Sequence, residues 1–447
     1  MNKKPVNSIK DLIPADLTIR FRNADVKNFK LIFFAIIVGL LAGFAGSAFR
    51  LILSYIEGFS NNLYENAGNS GWLSGILPVV VSIAGIGIAV WLVRSFAAEA
   101  SGSGVQEIEG ALDELRVLRW KKVIPVKFIG SLLSLGSGLL LGREGPTIQI
   151  GASLGKMIKD IFKKADLESN SLISAGAAAG LASAFNAPFS GIIFVVEEMY
   201  GHFKYTFFSV AAIMVASATA DYVSRMLIGA SPVIKMIVFP NPPLNSFWMF
   251  IVLGVLLSFI GLIFNRLLIK VSDFFSGMKK PVLVVTLVGV GLIIAVIGIL
   301  NPLMIGGGYN TIRAVLDESH TIQFLLMLFA GRMLLTVLSY GTGAPGGIFA
   351  PLIAIGVVIG MLFGSIMQHY FPEFVIHPGI FAVAGMAGIF ASTVRAPLTG
   401  VILAVEMTSN FELILPLIFT TLTASLVTTQ LGNQPIYTTL LKRTLKR

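Results

Sequence analysis

The sequence predicts an all-α polytopic membrane protein made of two related halves whose helices are interrupted at matching places. Three observations carry this. Hydrophobic residues make up 55% of the 447-residue chain and charged residues 13%, too apolar for a soluble domain whose surface must be wetted. Residues 172–196, 246–265 and 333–372 contain no Asp, Glu, Lys or Arg, and about 20 residues of helix suffice to cross a hydrocarbon core. The third observation is an internal repeat. SLGSGLLLGREGPTIQIGASLG (134–155) aligns without a gap to SYGTGAPGGIFAPLIAIGVVIG (339–360), sharing Ser, five Gly, Pro and two Ile, and APFSGIIFVVE (187–197) matches APLTGVILAVE (396–406) at six of eleven positions. Two ungapped blocks at nearly the same offset, each keeping its proline, exceed what a Gly/Ala-rich composition produces by chance.

The elements follow in order. Seven basic residues, Lys3, Lys4, Lys10, Arg20, Arg22, Lys27 and Lys30, precede the first apolar run, and Lys442, Arg443, Lys446 and Arg447 follow the last. Basic residues flanking membrane spans stay on the cytosolic side, so both tails are expected in the cytosol and the number of crossings even. The net charge of +10 therefore reflects topology rather than a nucleic-acid surface, for which basic residues would be interleaved with exposed aromatics. No short cleavable apolar segment opens the chain, and the absence of cysteine leaves no report on redox compartment. The composition reads as that of a bacterial inner-membrane protein.

Apolar runs then span 31–56, 72–93, 123–141, 172–196, 206–220, 246–268, 281–300, 322–340, 348–367, 381–405 and 413–431. Gly and Pro interrupt them at 142–146, 186–188, 341–351 and 395–397, where a continuous helix would lose backbone hydrogen bonds. Irregular backbone at membrane depth survives only where it is buried in protein or lines a cavity. Interrupted segments at corresponding places in two halves are the sequence mark of a transporter's midplane site. The expected organisation is a cytosolic segment at 1–30, a first membrane repeat at 31–230, a loop at 231–244, a second repeat at 245–431 and a short cytosolic tail at 432–447.

A helix starting after each break leaves its first N–H groups unsatisfied and carries roughly +0.5 of an elementary charge at that end. Such ends attract anions. Arg143 and Gly145 at the first break, with Phe349 and Ala350 at the second, are the expected donors. A Gly-rich stretch, SGSGVQE (101–107), stands before the amphipathic IEGALDELRVL and adds a third candidate end with a hydroxyl at Ser103. Glu144 places a carboxylate where an anion would sit, so that its protonation would open the site. The competing reading is a structural Arg143–Glu144 ion pair, but adjacent residues on a helix point about 100° apart.

Glu197 and Glu198 close an apolar run. The repeat matches Glu197 to Glu406 and so gives these two a shared structural role, whereas Glu198 matches Met407 and stands alone. Glu198 is either a proton carrier or an interfacial cap, and the residues leave both open. If 172–196 crosses as one span, Glu198 lies at its far end from the breaks. Lys127 is expected to snorkel to the interface beside Lys121 and Lys122. His202, His320, His369 and His377 show no metal-ligand spacing, so neither a metal nor a cofactor is expected, and no enzymatic activity. An intramembrane serine protease built on Ser70 of GNSG (68–71) lacks a histidine placed deep in a span as its base.

Four signatures now come together in order. GSGVQE (102–107) is similar to GSGIPE, GREGP (142–146) is an identical match, GGIFAP (346–351) fits GxFxP, and QPIY brings a tyrosine near the C-terminus. In these the chain resembles the CLC chloride channel and transporter family, from the first span to Tyr437, and within it the bacterial chloride/proton antiporters. The resemblance implies two inverted-topology repeats with broken and re-entrant helices, and a homodimer with one anion pathway per subunit in the lipid bilayer. It gives Ser103 and Tyr437 as hydroxyl donors to a central chloride, with the N–H groups of Ile348 and Phe349 completing that site. Glu144 becomes the external gate and Glu198 the internal proton glutamate. Val105 and Gln106 depart from the usual Ile-Pro, removing a rigid helix start, and the family's cytosolic CBS modules are not expected in so short a tail. The implied function is chloride/proton exchange. A passive anion channel, or an antiporter for nitrate or fluoride, is the alternative, with Glu198 as the discriminating residue.

Overall fold

The computed structural model describes residues 15–69, 72–162, 169–203 and 205–446; Lys3, Lys4, Lys10, Ser70 and Arg447 lie outside them. Seventeen α-helices run along the described residues. The first eight are α1 (Ala15–Asn69), α2 (Trp72–Phe96), α3 (Val105–Leu112), α4 (Trp120–Gly136), α5 (Glu144–Ile161), α6 (Ser169–Phe185), α7 (Pro188–Glu198) and α8 (Phe207–Ile228). The next eight are α9 (Phe247–Ser276), α10 (Lys280–Leu300), α11 (Tyr309–Asp317), α12 (Ile322–Gly341), α13 (Phe349–Tyr370), α14 (Gly379–Thr393), α15 (Pro397–Thr408) and α16 (Ile414–Gln430), and α17 (Ile436–Leu445) ends the chain. Among the described residues, eight helices are long and apolar enough to cross a membrane. The chain is an all-α polytopic membrane protein of two inverted-topology repeats.

Packing partners recur between the two sets of eight. Helix α5 lies along α6 and α13 along α14; α8 packs on α1, α6 and α7 as α16 packs on α9, α14 and α15. The closest contacts are made by glycine. A Cβ on Gly151 would stand 2.1 Å from the Gly176 carbonyl oxygen, and one on Gly356 2.4 Å from that of Gly385. Small residues let backbones approach in lipid, where no hydrophobic effect separates helix from tail. Every residue of α14 is buried, as a helix apolar all round must be.

Two of the apolar runs are not single helices. The run 172–196 divides into α6 and α7 and the run 381–405 into α14 and α15, so Glu198 ends an eleven-residue helix that starts at a break and does not lie across a span from it. Each break turns on a non-glycine residue with positive φ, Asn186 at 53° and Arg395 at 75°. Tertiary bonds hold these conformations: Arg50 Nη1 donates to Asn186 Oδ1 (2.6 Å) and Arg395 Nη1 to the Asn433 carbonyl (2.9 Å). A proline at the first helical turn then restarts each helix, its missing N–H costing nothing there.

The carboxylates that end α7 and α15 cross over. Glu197 accepts from the N–H groups of Leu398 (3.0 Å) and Thr399 (2.7 Å) and from the Thr399 hydroxyl (2.8 Å), at the start of α15. Glu406 does the same at the start of α7, accepting from the N–H groups of Phe189 (3.1 Å) and Ser190 (2.7 Å) and from the Ser190 hydroxyl (2.6 Å). Each repeat therefore caps a helix of the other, which is the shared role that the match of Glu197 to Glu406 predicts.

Candidate anion and proton site

Three loops meet at the centre of the protein. Gly142 and Gly347 exchange a pair of backbone hydrogen bonds (2.6 and 2.7 Å), and Gly102 bonds to Ala344 (3.2 Å) and Gly346 (2.9 Å). Backbone polar groups at this depth must be satisfied internally, and pairing loop to loop does so. The pairing brings the starts of α5 and α13 together. An atom placed as Cβ on Gly347 would be 2.9 Å from the Gly145 nitrogen, and one on Gly142 would be 3.1 Å from the Ala350 nitrogen and 2.3 Å from Glu144 Oε2. No side chain caps either helix. The N–H groups at Gly145, Phe349 and Ala350 thus converge on one region, with the Glu144 carboxylate beside it.

Arg143 is the N-cap of α5 and Ile348 that of α13. Helix α3 begins at Val105 after Gly104 in the left-handed region, φ 85°. Glycine supplies the start that the missing proline does not, and a Cβ on Gly104 would clash with the Gln149 side chain. Ser103 packs directly on the start of α5, its Oγ 2.6 Å from where a Cβ of Gly145 would be, and that hydroxyl is buried without a hydrogen-bond partner. Tyr437, fully buried on α17, faces the Ser103 hydroxyl and has Tyr340 and Glu198 as electrostatic neighbours. The expected tail is therefore partly a helix, docked on α3. Around Phe349 stand Phe390 (4.4 Å between ring centroids), Phe185 (5.7 Å) and Phe194 (6.0 Å).

Glu144 is fully buried. Its Oε1 accepts from the Tyr309 hydroxyl at 2.5 Å, and its Oε2 has no partner. Arg143 Nε stands 3.9 Å from Oε1, too far for a hydrogen bond, while its guanidinium stacks on the Tyr309 ring at 4.5 Å. The competing reading of an Arg143–Glu144 ion pair therefore stands as a close buried charge pair that carries no hydrogen bond.

Glu198 lies one turn beyond Phe194 on α7, with its Oε1 buried and unpartnered. Its nearest charged company is Glu109 of α3 and Glu197. Both Glu109 carboxyl oxygens are also buried without a partner, so two carboxyls lie within electrostatic reach of each other, with no cation acting on Glu198 among the described residues. Sequence reading passes over Glu109, which looks like the polar face of an amphipathic turn. It also passes over Tyr309 and Tyr340, whose hydroxyl accepts from the Ser103 N–H at 3.4 Å, and it assigns no role to His202, whose Nδ1 meets Asp113 at 2.8 Å. The one available signal for Tyr309 is the GGG that precedes it.

Lys127 does not snorkel. It is fully buried on α4 and donates to the carbonyls of Ala100 (3.1 Å) and Gly102 (2.6 Å), fixing the loop that carries Ser103. The long stem reaches inward because those carbonyls have no helical partner.

Two cavities flank the centre. One of about 480 Å³ is lined by Arg50, Arg143, Lys235, Arg313 and Tyr309, with Glu57 its one acid. Another, of about 290 Å³, is lined by Arg94, Arg116, Arg443, Gly102 and Tyr340, with Glu107, paired to Arg116 at 2.9 Å, its one acid. Clefts dominated by one sign of charge concentrate the opposite ion, here an anion.

Comparison with known proteins shows the family and the fold. Residues 85–429 match the family model described as Voltage gated chloride channel. The chain is 43% identical over 454 residues to the H(+)/Cl(-) exchange transporter ClcA of Vibrio campbellii, covering 99% of this chain and 96% of the relative. It is 40% identical over 434 residues to the protein of the same name from Salmonella agona, covering 96% and 91%. A crystal structure of a slow cyanobacterial Cl-/H+ antiporter superposes with a TM-score of 0.90 at 37% identity, covering 93% of this chain and 98% of that one. A CLC-type fluoride/proton antiporter shares the fold at 22% identity and a TM-score of 0.75, over 92% and 97% of the chains. With two uncapped helix starts facing each other across a Gly142–Gly347 bridge, and with a family model matched through both repeats, the chain belongs to the voltage-gated chloride channel family, the CLC family.

Proposed function

We propose that this protein is a chloride/proton antiporter of a bacterial inner membrane. The observation that carries the reading is the Glu144 carboxylate lying beside the converging N–H groups of α5 and α13. Chloride and the ionised carboxylate compete for the same positive end, so protonation of Glu144 admits the anion and arrival of the anion releases the proton. Ser103 and Tyr437 supply hydroxyls to a central chloride, and Ile348 and Phe349 its N–H groups. Arg143, Gly145 and Ala350 complete the helix ends.

A channel needs nothing further, whereas an exchanger also needs a proton route from the other face. Glu198, half-buried and within electrostatic reach of the buried Glu109, is that route in our reading. Two carboxyls in an apolar setting share protons readily because each disfavours the other's charge. The Ser103 hydroxyl supports chloride over nitrate. Liposomes loaded with chloride and followed with a chloride and a pH electrode together test the proposal: an imposed chloride gradient is expected to drive protons uphill, and chloride movement without protons would make the protein a channel.

The boundaries 31–230 and 245–431 for the two repeats rest on α1–α8 and α9–α16 keeping the same packing order. Both termini are assigned to the cytosol. Helix α2 starts three residues after α1 ends and runs back to Arg94, in the cavity that α17 also lines, which supports this assignment. We assign a homodimer with one pathway per subunit, supported by the completeness of the site within one chain; sedimentation in detergent tests the assembly.

A further inference from the structure

The strongest bond to the Glu144 carboxylate comes from a residue outside every family signature in this sequence. Tyr309 is the first residue of α11, and its hydroxyl donates to Glu144 Oε1 at 2.5 Å. Its ring lies against the Arg143 guanidinium. The mount is rigid. Arg332 on α12, fully buried, donates to the carbonyls of Leu303 (2.9 Å), Ile305 (3.3 Å) and Gly306 (3.0 Å) and to the Thr311 hydroxyl (2.8 Å). These bonds tie the loop 303–306 and the first turn of α11 to the bundle, and a Cβ on Gly308 would strike the guanidinium at 2.7 Å.

We propose that the Tyr309 hydroxyl is a latch for the gate: it holds the ionised Glu144 carboxylate in the blocking position and thereby sets the external pH at which chloride is admitted. The inference rests on the reading of Glu144 as the gate. A phenol that donates to a carboxylate stabilises the charged form, because the protonated carboxyl is the weaker acceptor and brings a proton of its own. The groups facing Glu144 are Arg143 on its own helix, Arg50 and Glu57 from α1, and Tyr309 from α11; α13 presents backbone N–H groups. Arg143 and Arg50 favour the ionised gate by charge alone. Only Tyr309 does so through a hydrogen bond that a single oxygen atom carries, so that atom can be removed while the charges stay.

Tyr309→Phe keeps the ring, and with it the stacking of Arg143 and the packing of α11. The variant is expected to move the midpoint of acid-activated chloride flux in proteoliposomes upward by roughly one pH unit, while chloride still drives protons because the carboxyl remains. In a Glu144→Gln background the same substitution should leave the pH profile unchanged. A wild-type midpoint in Tyr309→Phe, with Glu144→Gln uncoupled, overturns the latch and leaves the gate standing. Wild-type coupling in Glu144→Gln overturns both. A Tyr309→Phe midpoint that shifts equally in the Glu144→Gln background also overturns the latch, since the effect then does not pass through the carboxylate.

Discussion

Replacing Glu144 by Gln removes one charge and little else, and the size of the effect follows from what faces the carboxylate. Two uncapped helix starts are within its reach, those of α5 and α13. Each is worth up to about 2 kcal/mol to a negative charge in a partly buried setting. The hydrogen bond from Tyr309 contributes about 1.5–3 kcal/mol to a carboxylate but nearer about 1 kcal/mol to a neutral amide. Discounting for solvent reaching the site from the 480 Å³ cavity, the blocking position should lose on the order of 3 kcal/mol, about two orders of magnitude in occupancy. An anion that no longer competes with the carboxylate binds with the intrinsic constant rather than one reduced by the open fraction. Isothermal titration of chloride into purified Glu144→Gln protein should therefore show affinity raised at least tenfold, with a ceiling of roughly a hundredfold. Paired-electrode measurements on liposomes should show chloride flux independent of external pH and no uphill proton movement. Proton pumping at the wild-type ratio, or chloride affinity equal to wild type, would refute the competition between carboxylate and anion.

Other expectations test other parts of the arrangement. Glu198→Gln, close in shape but unable to carry a proton, should keep chloride flux and lose proton movement; pumping at the wild-type ratio would leave Glu198 as an interfacial cap. Lys127→Met strands the buried Ala100 carbonyl, costing about 1–3 kcal/mol, and leaves the Gly102 carbonyl with the Gly346 N–H alone, so thermal unfolding in detergent should occur at lower temperature and chloride should bind more weakly through the loosened Ser103 loop. Unchanged values in both would show that the loop holds itself. Glu99, beyond the end of α2, has its carboxyl pushed up by burial but drawn down further by Arg119, which grips it at 2.7 and 2.6 Å, for a net position below the ordinary range. Its contribution to stability is therefore full above the unfolded-state value near about 4.3 and lost as pH falls through the lower folded-state value. The melting temperatures of wild type and Arg119→Ala should differ at about pH 7 and converge in acid toward about pH 3; a constant difference would place the effect of Arg119 outside this ion pair.

The repeat, the breaks and the polarity of the helix ends were legible because each is written in local chemistry. A membrane forces long charge-free runs, proline and glycine mark where helices stop, and a helix start is electropositive wherever it is placed. The glutamates at 144 and 198 stood out because charge in an apolar run is costly. What the sequence withheld depends on contacts between residues far apart in the chain. Lys127 reads as an interfacial lysine until the fold turns the non-helical carbonyls of residues 100 and 102 toward it. Glu109 reads as a wetted helix face until α3 is closed in by α17, α5 and α6. Glu197 and Glu406 show their kinship in the alignment, but that each caps a helix in the other repeat emerges only when the repeats interlock. Tyr309 is 165 residues from the carboxylate it binds, and no periodicity or spacing encodes that meeting. Local sequence determined where the chain must break and which charge the breaks attract; the tertiary structure decided which distant hydroxyls, carbonyls and carboxyls answer them, because a buried polar group takes its meaning from the partner the fold supplies.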